Sequence, residues 1–201
     1  MTTITNGYAT SAEFFAYTSP KTSTGALTTA QVTVVENIIE SASRLIDNQT
    51  RKTFYARAAT NKYDVPYGNQ LDIEDDWLLS VGKITNGDGV EVTSGDYLLK
   101  PANTTPKYAV KLKEASTVQW EFDVSGNSEQ VLSISGSWGY TSSAPMDIKE
   151  ACLEIASAWY KRRFGENMSS ETVVEPSGIV ITPKDIPVSA RSILNKYASL
   201  I

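Results

Sequence analysis

The sequence has no histidine and only one cysteine in 201 residues. Without histidine there is no Ser–His or Cys–His pair to activate a nucleophile, and no imidazole-ligated zinc. The single thiol, Cys152, has no intrachain disulfide partner. That is compatible with a reducing compartment and gives no indication of a disulfide-stapled scaffold. No apolar run approaches the roughly 20 residues of a membrane-spanning helix, so no membrane contact is expected. The opening "MTTITNGYATSAEFF" lacks a basic stretch followed by an apolar one, so no signal peptide is expected. The sequons at Asn48, Asn103 and Asn167 then read as chance matches. The glycines form neither a P-loop nor a G-x-G-x-x-G turn, and neither a fixed repeat nor a low-complexity tract is present.

What is present is an ordinary globular composition, 41% hydrophobic and 20% charged. The length suits one sizeable domain or two small ones. A net charge of -5 provides no general attraction to phosphates, so avid nonspecific DNA binding is not expected.

Hydrophobic periodicity divides the chain into three stretches. Thr10 and Glu13 have the spacing of a capping box, which predicts a short helix over 10–17 with Phe14 and Phe15 seeking cover. A loop follows at 18–27. Thr28 and Gln31 repeat the capping spacing ahead of Val32, Val35, Ile38, Ile39, Ala42, Leu45 and Ile46, which predicts an amphipathic helix over about 28–50. Arg51 and Lys52 follow it and suit the negative end of its dipole.

From Tyr55 to Tyr140 the period becomes 2, which predicts five to seven short strands. "YAVKLK" (108–113), "VQWEFDV" (118–124) and "LSISGSWGY" (132–140) each alternate apolar with polar residues, and Asn86-Gly87-Asp88-Gly89 marks a hairpin. The helical period returns at Pro145, with Ile148, Ala151, Cys152, Ile155 and Trp159 as the buried stripe, Lys161-Arg162-Arg163 at the end, and Gly165 as a cap. A loop over 165–184 leads to a last helix starting near Asp185. It carries Ile186, Ala190, Ile193, Leu194, Tyr197 and Ile201 at helical spacing.

The expected fold class is α+β. Residues 10–55 and 145–201 form a helical bundle, and an antiparallel β region is inserted at about 56–142. As domains this gives 1–55 plus 143–201 for the helical core and 56–142 for the insertion.

The collinear order of "YATSAEFFAYT", "IIESASRLIDNQTRKTFY", "LLSVGKITNGDG", "DYLLKP", "SGSWGY…APMDIKEACLEIASAWYKRR" and "IPVSARSILNKY" resembles the gp6-like head–tail connector proteins of tailed bacteriophages. The resemblance spans most of the chain. Its strongest pieces are the "ASRLIDNQT…FY" helix end and the "WGY…AP" joint. It implies a structural virion protein, without enzymatic activity or cofactor, that forms a homo-oligomeric ring, usually a dodecamer, beneath the portal protein. Such a ring extends the channel through which DNA passes without sequence-specific binding, and docks a tail or stopper protein. It implies a place in the virion neck, and in the host cytoplasm during assembly.

Candidate site residues follow. The apolar stripe of the last helix is too wide for one bundle groove, so Leu194, Tyr197, Leu200 and Ile201, flanked by Arg191 and Lys196, are candidates for binding the portal. Asp72, Glu74, Asp75 and Asp76 lack the spacing of an EF-hand and read as a solvated turn, or as carboxylates that repel DNA in a channel. Lys161, Arg162 and Arg163 suit the helix dipole, a phosphate or a neighbouring subunit. Cys152 reads as a small buried hydrophobe. The alternative function is a carbohydrate- or protein-binding module built on Tyr108, Trp120, Trp138 and Tyr140, residues that at strand spacing also suit a sheet core.

Overall fold

The structure is a computed structural model and describes residues 6–18, 28–73, 77–164, 173–174, 180–181 and 186–198. The fold is α+β, and the chain divides into two compact units, Met1–Arg51 with Ala144–Ile201, and Lys52–Ser143.

The first unit is helical. Helix α1 (Ser11–Thr18) begins at the Thr10–Glu13 box: the Thr10 backbone N–H donates to Glu13 Oε2 at 2.8 Å, and the Glu13 N–H to Thr10 Oγ1 at 3.2 Å. Helix α2 (Thr29–Thr50) begins at a full capping box between Thr28 and Gln31. Each box supplies about 1 kcal/mol by satisfying N–H groups that have no helical partner. Along α2, Val35, Ile38, Ile39, Ala42 and Ile46 are buried, each apolar side chain of this size contributing about 1.5–3 kcal/mol when fully enclosed. Arg51 ends the helix in the left-handed conformation (φ 53°).

Helix α3 (Met146–Phe164) packs against α1, α2 and α4 (Val188–Tyr197). Its burial is wider than the expected stripe: Leu153, Ala156 and Ser157 are enclosed beside Ile148, Ala151, Cys152 and Ile155, whereas Trp159 is only half-buried. A helix touched by three others needs more than one apolar face, and the small residues allow the neighbours to approach. Helix α4 starts after Pro187, later than expected near Asp185; Ile186, Ala190 and Leu194 are its buried contacts.

A chain of hydrogen bonds crosses this core. The Tyr8 N–H donates to Ser43 Oγ at 3.0 Å, the Ser43 hydroxyl donates to the Ile39 carbonyl at 2.8 Å, and Cys152 Sγ lies 3.5 Å from Ser43 Oγ. The Tyr8 hydroxyl donates to Asp47, and Arg44 bridges Asp47 at 3.3 Å and the Asn6 carbonyl at 2.8 Å. The segment before α1 is thereby clamped to α2.

The second unit contains seven strands among the described residues. A four-stranded antiparallel sheet has the order β1 (Arg57–Tyr63), β7 (Leu132–Trp138), β3 (Leu78–Thr85), β4 (Glu91–Val92). A three-stranded sheet has the order β2 (Gln70–Asp72), β6 (Ala109–Leu112), β5 (Tyr97–Lys100). Leu71, Ile73, Leu78, Ile84, Val110, Leu112, Trp120, Leu132, Ile134 and Trp138 pack into one hydrophobic core. The chain enters and leaves this unit side by side. The Tyr140 N–H donates to the Thr53 carbonyl and the Gly139 N–H to the Trp77 carbonyl, both at 2.7 Å. Gly139 (φ 144°) has no room for a Cβ, which would collide with the Tyr55 carbonyl.

The expected strand over 118–124 does not form. Of its four alternating apolar residues only Trp120 is well buried, while Phe122 and Val124 are exposed. The segment's hydrogen bonds go to side chains: the Val118 N–H to Ser116 Oγ and the Glu121 N–H to Asn86 Oδ1. Side-chain partners, Ser116 close in sequence and Asn86 distant, take the backbone groups that a strand ladder would need. In the expected loop over 165–184, Val173–Val174 (β8) and Val180–Ile181 (β9) pair as a short antiparallel ladder. These β-branched pairs flank Pro176 and Gly178, a hairpin composition.

Candidate interaction surfaces

In the helical unit the Lys161-Arg162-Arg163-Phe164 end of α3 is exposed. The three cations sit in the last turn, where they complement the helix dipole. An aromatic row leads out to them from the core. The buried Phe14 ring meets Tyr160 edge-on at 5.4 Å, Tyr160 meets Phe164 at 5.0 Å, and the Arg163 guanidinium lies 5.4 Å above the Phe164 ring. Phe164 keeps 48% of its surface exposed between these two neighbours.

Helix α4 runs antiparallel to α3. Its Ser189 hydroxyl donates to Glu154, and the Tyr197 hydroxyl reaches both Asp147 carboxylate oxygens at 2.9 and 3.0 Å. Arg191 and Lys196 are exposed, Tyr197 is half-buried, and Leu194 is buried at 3% exposure. Leu194 is therefore core in this unit and offers no side-chain surface. Leu200 and Ile201 lie outside the described residues. Lys196 and Tyr197 sit near the N-terminal end of α3, about 20 Å along its axis from Arg162 at 1.5 Å per residue. The structure gives two separate basic surfaces, not one.

In the β unit Asp72 is exposed on β2 and accepts from Gln70 Nε2 at 2.7 Å. Glu74, Asp75 and Asp76 lie outside the described residues. A cleft of about 540 Å³ opens nearby, lined by Tyr63, Asp64, Tyr67, Gln70, Asp72 and Gln130 among others. Among the described residues no group of three or more His, Cys, Asp or Glu side chains could hold a metal ion.

The aromatic residues considered for stacking on sugars have other contacts. The Trp120 and Trp138 indoles are buried and donate to the Asn69 and Ala59 carbonyls at 3.2 and 3.0 Å. Tyr140 packs edge-on against Phe54 and Trp77. Tyr108 is half-exposed. These four side chains make no shared open platform.

Cys152 is fully enclosed, and burial pushes its thiol pKa up to about 11, so it is a poor nucleophile.

Two features escaped the sequence reading. Lys52, placed there at the end of a helix dipole, instead turns its ammonium over the rings of Tyr140 and Trp77, 4.7 and 5.6 Å from their centroids. The second is a corner of the β unit. Asn86, buried in the β3–β4 turn, donates from Nδ2 to the Gln119 carbonyl at 2.7 Å and accepts from the Glu121 and Gly87 N–H groups at 2.9 and 3.0 Å. A Cβ on Gly87 would overlap the Glu121 carbonyl, so segment 119–122 rides directly on the turn. Positive-φ hairpin chemistry was visible in Asn86-Gly87-Asp88-Gly89, but nothing local marks which distant segment Asn86 will hold.

No protein-family model matches the chain, and no curated protein does. Solved structures do. A chain of the neck of an empty gene transfer agent particle, computed with C6 symmetry, superposes with a TM-score of 0.61 at 14% identity, over 100% of this chain and 94% of that one. A chain of the neck of the native particle, computed with C12 symmetry, gives 0.60 at 13% identity, and one from the native virion 0.58 at 16%, with the same coverage. At such identities the likeness is one of fold, and it extends through both units.

Proposed function

We propose that this chain is a structural subunit of a phage-like neck: a head–tail connector that repeats around a ring between the portal and the tail. The observation that carries the reading is the end-to-end likeness to chains of a gene transfer agent neck, which takes in the β unit as well as the helices. The sequence resemblance to gp6-like connectors points the same way. The symmetry of the related necks supports a ring of twelve or a multiple of six. A closed ring of one subunit needs heterologous contacts, in which two different faces of the chain meet.

On this reading the exposed side of α4, with Arg191 and Lys196, faces the portal protein and sets orientation by charge. Tyr197 stiffens that surface through Asp147. The basic end at Lys161, Arg162 and Arg163 serves a neighbouring subunit, while the acidic residues Asp72, Glu74, Asp75 and Asp76 would repel passing DNA. The role is one of assembly in the virion, with no chemical step. Incubation of the purified chain with portal protein, followed by negative-stain electron microscopy, tests it. The expected result is an added ring on one end of the portal. Portal particles unchanged at saturating chain concentration would refute it.

A further inference from the structure

The β unit carries an exposed apolar corner flanked in sequence by acidic residues. In the turn after segment 119–122, the Asp123 carboxylate accepts from the Ser125 N–H, the Ser125 hydroxyl and the Asn127 N–H at 2.8, 2.6 and 2.8 Å. That lattice fixes the turn and lowers the Asp123 pKa below the ordinary carboxylate range, with the Ser125 hydroxyl bond as the largest cause. The same turn holds Val124 outward at 98% exposure, beside Phe122 at 54%. The segment is also anchored by Asn86, so the backbone under both apolar side chains is held by hydrogen bonds and less ordering is left for binding. Acidic residues lie next to them in the chain, Glu121 and Asp123, and Asp88 belongs to the β3–β4 turn on which the segment rides.

Among the exposed aromatic residues, which also include Tyr17, Tyr67 and Tyr108, Phe164 at the α3 end is the one set among consecutive cations: it is 48% exposed, with the Arg163 guanidinium over its ring and Lys161 in the same last turn. One surface is apolar within a negative rim, the other aromatic within a positive one. Aromatic and arginine side chains are the residues enriched at the centres of protein interfaces.

We infer that Phe122 and Val124 of one copy dock against Phe164 and Arg163 of the next copy, with Glu121 facing the basic helix end. This rests on the ring reading above and names the two faces that meet. The contact is heterologous, so it propagates from copy to copy as a ring requires.

Cysteine cross-linking tests it on the full chain, because buried Cys152 leaves only introduced thiols open to a short bismaleimide. One preparation carries Val124→Cys and another Phe164→Cys, both at exposed positions. The wild-type chain is followed in parallel by sedimentation velocity, alone and with portal protein. The expected result is a covalent dimer from the mixture and little from either variant by itself. In support, Glu121→Arg or Arg163→Glu alone should weaken association roughly tenfold, and the two together should recover most of it. Wild-type assembly with no cross-link in the mixture would overturn this contact, assign the corner to a different partner, and leave the ring reading standing. A cross-link from Val124→Cys alone would overturn it in favour of a two-fold contact. A wild-type chain that stays monomeric under every condition would overturn both.

Discussion

The ammonium of Lys52 lies 4.7 Å from the centroid of the Tyr140 ring, so the first residue of the β unit is held by one of its last. Burial pulls the Lys52 pKa below its ordinary value. The ring attraction, about 0.5–2 kcal/mol, therefore works against a desolvation cost. Lys52→Met, which keeps the apolar stem and removes the charge, should change stability by less than about 1 kcal/mol. Tyr140→Ala should cost about 2–3 kcal/mol, because Phe54 and Trp77 lose their edge contacts. Urea unfolding of the two variants checks the order. A larger loss for Lys52→Met would mean that the charge, not the ring packing, secures this junction.

Cys152 should be silent in the native protein. Its thiol sits against Ser43 and is pushed up to about 11 from an ordinary 9.0 by burial. Because the folded-state value is raised, its contribution to stability is complete below pH 9.0 and is lost as pH rises towards about 11. Labelling with a maleimide at neutral pH should proceed only as fast as the bundle opens. Rapid labelling of the folded chain would show that α2 and α3 separate readily there.

The two units should also be separable. Each has its own buried core, and the chain enters and leaves the β unit at neighbouring backbone positions, Thr53 and Tyr140. Replacing about 57–141 with a short Gly-Ser linker should leave a cooperatively folding helical protein by circular dichroism. A disordered spectrum would mean that the helical unit depends on the insertion.

Portal attachment is best probed with surface variants. Truncation at residue 191 would remove Leu194 from the core and confuse unfolding with loss of binding. Arg191→Glu with Lys196→Glu should leave the melting temperature within a few degrees while reducing capture by portal, most visibly at low salt where screening is least. Undiminished capture would contradict the assignment of this face of α4 to the portal.

Local signals carried much of the fold. The caps at Thr10 and Thr28 were visible in the sequence, because a capping box is a matter of two residues three apart. The stripe of α2 and the core positions Leu132, Ile134 and Trp138 follow from period alone. What was not legible depended on distant partners. Segment 118–124 alternates like a strand, yet Asn86 takes its hydrogen bonds. Lys52 looked like a helix-end cation because nothing nearby in sequence announces Tyr140. Leu194 and Lys196 both lie on α4, but only packing against the bundle distinguishes the core residue from the surface one. Of the candidate site, charge clusters could be found in sequence, while the rigid apolar corner at Phe122 and Val124 could not.

Ring formation is the property on which the functional reading depends. Mass photometry and electron microscopy of the full chain, with and without portal protein, measure it. The reading predicts a closed oligomer of six-fold or twelve-fold symmetry, formed alone or seated on the portal. A monomer that neither closes into a ring nor associates with portal at any concentration would contradict it.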